Sequence, residues 1–100
     1  MKSFCVIGLG RFGSSVLKSL INNGHEVVAI DTDAKKIDNH KDIATHVMIA
    51  DATDERVLQN IEIDKFDGVI IAIGRDVQAS ILTTMIIVER GAKNVVAKAT

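Results

Sequence analysis

Three glycines, Gly8, Gly10 and Gly13, stand in the spacing G-x-G-x-x-G within Phe4-Cys5-Val6-Ile7-Gly8-Leu9-Gly10-Arg11-Phe12-Gly13. Set between an aliphatic run and a helical one, that spacing brings a diphosphate onto the first turn of a helix. Gly8 permits the turn off the strand, Gly10 lets phosphate approach bare backbone, and Gly13 lets helix and strand pack closely. The unpaired amides of the helix start, with the positive end of its dipole, then hold the anion. Asp31 lies 18 residues past Gly13, where an acidic side chain meets the ribose hydroxyls of an adenine nucleotide. Such a carboxylate gains roughly 1.5–3 kcal/mol per charge-assisted bond and repels a 2′-phosphate. The expected ligand is therefore an adenine nucleotide, and NADP is disfavoured. Thr32 and Asp33 complete that edge.

Four further groups extend the candidate site. Asp51 could accept from the adenine amino group while the Ala52 amide donates to a ring nitrogen, with Thr53 beside them. A plain loop before a capped helix accounts for Asp51 equally well. Arg11, inside the glycine motif and next to Phe12, opposes the dipole as a first-turn cation, a sign that bound polyphosphate would reverse. Ile73-Gly74-Arg75 could pass beneath the phosphates or the second ribose of a dinucleotide. Lys98 could add charge from the far side.

The elements that position these residues follow from periodicity. Continuous aliphatic runs predict strands at 3–7, 27–30, 47–50, 68–73 and 95–97, the pattern of a parallel sheet covered on both faces. Helices are predicted over 10–22, 34–40, from Thr53 through Ile61, and over 77–90, with Gly24 and Gly91 closing the first and last. Asp33 is a natural N-cap. The alternation predicts an α/β, Rossmann-like doubly wound sheet of strand order 3-2-1-4-5, running short after the fifth strand. One domain over residues 1–100 is expected.

Other properties narrow the function. A net charge of −1 makes no electrostatic case for nucleic acid or an anionic membrane surface. The apolar run from Val77 to Val88 falls short of the ~20 residues a membrane helix needs, so no direct membrane insertion is expected. Met1-Lys2-Ser3 runs straight into a strand, so no signal peptide is expected. A lone cysteine, Cys5, suits a reducing cytosol and reads as a small buried hydrophobe. His25, His40 and His46 read as structural, His40 near an exposed helix end, and no metal site is expected. Ser14 and Ser15 read as small residues that let the first helix approach the sheet. No nucleophile–base pair emerges, and the chain is expected not to be an enzyme. The helix over 77–90 is apolar well beyond one face, which predicts a second packing partner.

Ile7-Gly8-Leu9-Gly10-Arg11-Phe12-Gly13, Asp51-Ala52-Thr53 and, most specifically, Ala72-Ile73-Gly74-Arg75-Asp76-Val77-Gln78-Ala79-Ser80 with Leu82-Thr83-Thr84 resemble the KTN (TrkA-N) domain. This is the N-terminal nucleotide-binding half of RCK (regulator of potassium conductance) proteins in Trk and Ktr potassium uptake systems. The resemblance covers the whole chain. It implies a cytoplasmic gating subunit that binds NAD(H) or ATP/ADP, pairs as a homo-oligomer through its apolar helix, assembles as a ring, and acts on an integral-membrane potassium transporter. It also implies a longer protein than these 100 residues. The competing reading is the cofactor half of an NAD-dependent dehydrogenase. It needs the same glycine turn and Asp31, and it lacks support from any acid/base group near the switch point.

Overall fold

Strand pairing places the ends of the aliphatic runs in one row. In a computed structural model that describes residues 1–98, β1 (Ser3–Ile7), β2 (Glu26–Asp31), β3 (His46–Ile49), β4 (Gly68–Ile71) and β5 (Val95–Ala97) form a parallel sheet of order β3-β2-β1-β4-β5. Ile7 pairs with Ile30 on one side and Ile71 on the other, and Ile30 pairs with Met48. The order is the expected doubly wound one, with the crossover reversing between β1 and β4.

Alternate residues of each strand feed two separate cores. Val6, Val27, Ala29 and Ile70 face α1 (Arg11–Asn22) and α2 (Ala34–His40), packing with Leu17 and Ile37. Cys5, Ile7, Ile30, Val69 and Ile71 face α3 (Glu55–Asn60), a 3₁₀ turn at Ile63–Lys65 and α4 (Val77–Glu89), packing with Leu58, Ile63 and Ile87. Covering both faces explains why the strands read as unbroken aliphatic runs. Burial pushes the Cys5 thiol up to about 12, so it remains protonated and packs as a hydrophobe.

The boundaries shift where capping and register override periodicity. The third helix does not start at Thr53; its N-cap is Asp54, whose side chain accepts from the Arg56 amide. β4 stops at Ile71 rather than Ile73, because its pairing with β1 ends at Ile7. Ala72 still donates to the Ile7 carbonyl at 2.7 Å, and the chain then turns over the sheet edge. β3 begins one residue earlier than expected and ends at Ile49, α1 starts at Arg11 behind its N-cap Gly10, and α4 ends at Glu89. The 3₁₀ turn has no periodic signature long enough to reveal it.

Candidate functional site

The loops that leave the carboxyl ends of β1, β2, β3 and β4 enclose a cleft of about 810 Å³. A doubly wound sheet opens there because α1 and α4 leave it on opposite faces. Of the residues expected to bind ligand, Gly8, Gly10, Asp31, Thr32, Asp33, Asp51, Ala52, Thr53, Ile73, Gly74 and Arg75 line the cleft. Arg11, Phe12, Gly13 and Lys98 do not. Arg11 is exposed at the start of α1, and the Lys98 ammonium lies over the Phe12 ring, 4.8 Å from its centroid.

Gly8 has φ +97, and its amide donates to the Ile30 carbonyl at 2.8 Å, which fixes the turn to β2. Gly10 has open space where a Cβ would stand. A Cβ on Gly13 would overlap the Gly8 carbonyl, so this glycine allows α1 to sit directly on the turn. The first turn of the helix bond ladder closes from the Ser14 amide to the Gly10 carbonyl at 2.9 Å. The amides of Arg11, Phe12 and Gly13 therefore precede the ladder and have no intrahelical acceptor four residues back.

Asp31 turns its carboxylate back onto the glycine turn. Its Oδ2 accepts from the Leu9 amide at 2.8 Å and its Oδ1 from the Asp33 amide at 2.9 Å. Each oxygen keeps a second acceptor site, so the group can hold the turn and still receive hydroxyl protons. Asp33 accepts from the Lys35 amide at 2.9 Å as the N-cap of α2, as expected. Asp51 accepts from the Thr53 hydroxyl at 2.6 Å and the Thr53 amide at 2.9 Å, both on Oδ1. These bonds, the hydroxyl's first, hold its carboxyl below the usual carboxylate range, so it stays an acceptor at neutral pH. Asp76 caps α4 by accepting from the Ala79 amide at 2.9 Å.

The fold also brings in residues that were not expected to bind ligand. Lys36 of α2 and Gln78, Ala79 and Leu82 of α4 line the cleft; the last three lie in the stretch that carries the family resemblance, whereas Lys36 had no signal beyond its place near the start of α2. Away from the cleft lining, a serine and a histidine do meet: Ser14 Oγ lies 2.8 Å from His40 Nε2. His40 Nδ1 lies 2.6 Å from the Lys36 carbonyl. A carbonyl only accepts, so Nδ1 carries the proton and Ser14 donates to Nε2. His40 is buried, not at an exposed helix end, and Ser15 is exposed rather than packed on the sheet. Among the described residues no cluster of His, Cys, Asp or Glu could hold a metal ion, and no helix is long and apolar enough to cross a membrane.

Residues 4–100 match the model of the TrkA-N domain. The chain is 51% identical over 98 residues to Ktr system potassium uptake protein C of Bacillus subtilis, covering 98% of this chain and 44% of that protein. It is 47% identical to the Ktr system potassium uptake protein A of the same organism, with the same coverage. The chain thus spans less than half the length of these relatives. Among solved structures, the Kef CTD of Shewanella denitrificans in AMP-bound form superposes with a TM-score of 0.79 at 24% identity, covering 97% of this chain and 58% of that one. The NAD(P)-binding domain of an exopolyphosphatase-related protein from Archaeoglobus fulgidus gives 0.78 at 23% identity, covering 97% and 88%. At those identities the structural likeness speaks for the fold, whereas the sequence matches decide kinship: the chain belongs to the TrkA-N domain family.

Proposed function

We propose that this chain is the nucleotide-sensing domain of a longer cytoplasmic regulatory subunit of a potassium uptake system. It binds NAD(H) or ATP/ADP in the cleft and passes a change of shape to an integral-membrane transporter. The observation that carries this reading is the convergence on one cleft of the glycine turn at Gly8 and Gly10, the Asp31 carboxylate and the Asp51–Thr53 edge. In the bound state the amides behind Gly10 hold phosphate, Asp31 receives ribose hydroxyls, and Asp51 with the Ala52 amide brackets adenine. Ile73, Gly74 and Arg75 serve the far end of the phosphates or a second ribose. Arg11 and Lys98, outside the cleft lining, would act on phosphate only by reaching over its rim. Kinship with potassium uptake proteins supports a regulator over a dehydrogenase half.

Thermal melting with NAD, NADH, ATP, ADP and AMP tests the reading. A ligand that binds only the native state adds about 2.7 kcal/mol at a hundredfold excess over its Kd. For a domain this size that raises Tm by about 11–22 °C. No shift with any of the five ends the nucleotide reading.

The same helix that borders the cleft carries the proposed pairing surface. Thr83 and Ile87 of α4 are fully buried, whereas Val77, Ile81, Met85 and Val88 are each more than half exposed. These four recur on one stripe, and Leu82 beside them also lines the cleft. A second copy packed on this stripe forms a dimer, and dimers stack into a ring. A ligand touching Gln78, Ala79 and Leu82 then bears directly on the paired helix. Ile81→Asp with Met85→Lys is expected to shift the molar mass by light scattering to that of the monomer while the melting of the fold stays cooperative. An unchanged mass, or a wild-type protein that is monomeric at high concentration, removes the pairing surface.

A further inference from the structure

Among the described residues that line the cleft, Lys36 is the cation that α2 brings in. It is the third residue of α2, three residues beyond the N-cap Asp33, and it lines the cleft with Asp31, Thr32 and Asp33. Among the described residues it has no ion-pair partner; the pairs involve Lys41, Arg56 and Arg90 instead. The nearby carboxylates are already engaged by backbone: Asp31 by the Leu9 and Asp33 amides, Asp33 by the Lys35 amide. The backbone at Lys36 is pinned as well. Its carbonyl accepts from His40 Nδ1, and His40 in turn accepts from Ser14 on α1. That chain of bonds ties the Lys36 backbone to the helix that starts at the glycine turn, so its side chain extends from a fixed point on the cleft that it lines with Asp31.

We propose that Lys36 sets selectivity at the 2′ position of the bound ribose, a proposal that rests on reading the cleft as an adenine-nucleotide site. Asp31 disfavours a 2′-phosphate by charge. Lys36, on the same rim, offsets that repulsion, because an ammonium next to phosphate gains a charge-assisted contact. The preference for a bare 2′-hydroxyl is therefore the difference between two opposed charges. Removing Lys36 sharpens it, and neutralising Asp31 while Lys36 remains reverses it.

Calorimetric titration of the intact protein with two ligand pairs, NAD against NADP and AMP against adenosine 2′,5′-bisphosphate, tests this. Within each pair the ligands differ by the 2′-phosphate alone, so the choice between NAD(H) and ATP/ADP does not enter. Lys36→Gln is expected to weaken the 2′-phosphorylated member about fivefold and the other less than about twofold, the range of an exposed charge pair. Asp31→Asn is expected to turn the ratio toward the 2′-phosphorylated member, and adding Lys36→Gln to it removes that gain. Equal losses for both members in Lys36→Gln, an unchanged ratio, or no binding of either 2′-phosphorylated ligand to a wild-type protein that binds the unphosphorylated one overturns the assignment of Lys36. Failure of all four ligands to bind the wild type overturns the nucleotide reading itself, and Lys36 with it.

Discussion

Gly13→Ala is expected to lower the stability of the fold by about 3 kcal/mol or more, the upper range for inserting a methyl where none fits. The added Cβ would overlap the Gly8 carbonyl oxygen and stand 2.9 Å from its carbon. Both are backbone atoms, and Gly8 is itself held by its bond to the Ile30 carbonyl at 2.8 Å, so neither can swing aside. Relief requires moving α1 off the turn, which opens contacts around Leu17 and Val6, both fully buried. In a chain of this length each kcal/mol shifts Tm by about 4–8 °C, so Tm falls by about 12 °C or more. Gly10→Ala is the matched comparison. It meets nothing within 4 Å and has φ −74, so the fold loses no more than about 1 kcal/mol. Nucleotide affinity falls sharply instead, because the methyl stands where phosphate approaches. Calorimetric melting with and without ligand separates the two glycines. A Gly13→Ala protein within about 1 kcal/mol of wild type would mean that helix and turn are not in the close contact described.

Asp31→Ala is expected to weaken adenine-nucleotide binding by about a hundredfold, the loss of one or two charge-assisted bonds to ribose. It also unfastens the glycine turn. The Leu9 amide loses its acceptor, and Leu9 is only 3% exposed, so an unsatisfied donor adds about 1–3 kcal/mol of instability. Asp31→Asn narrows the comparison, since its single amide oxygen can keep the Leu9 bond without charge, while its NH2 group then faces the exposed Asp33 amide. Its stability should lie above that of Asp31→Ala while its affinity for NAD or ADP drops. If Asp31→Asn binds both as wild type does, Asp31 holds the turn only, and ribose recognition lies elsewhere.

How far the chain could be read in advance depended on the range of the interaction. Strand runs, the buried face of α1, the Asp33 cap and the glycines that follow α1 and α4 are local, set by a residue and its near neighbours. All were legible, as was the sheet order, because right-handed crossovers leave few alternatives. The start of α3 was misplaced because Thr53, Asp54 and Glu55 are all plausible cap or first-turn residues, and only the coordinates show the Asp54 carboxylate reaching the Arg56 amide. Arg11 illustrates the opposite limit. Its place inside the glycine motif says nothing about where a long side chain points, and the cleft does not include it.

By itself, the order of apolar runs and turns determined a parallel doubly wound sheet and a glycine bend at the end of its first strand. Those follow from backbone sterics and from burying aliphatic faces, which act within a few residues. Tertiary structure alone decided that His40 is buried against Ser14, that Lys36 joins Asp31 on one rim, and that α4 turns Ile81 and Met85 outward beside a cleft-lining Leu82. The first joins residues 26 apart in the chain, the second depends on how a short helix is set against the strand before it, and the third chooses between faces of one apolar helix. Such choices appear only once the elements have packed and their side chains compete for the same space.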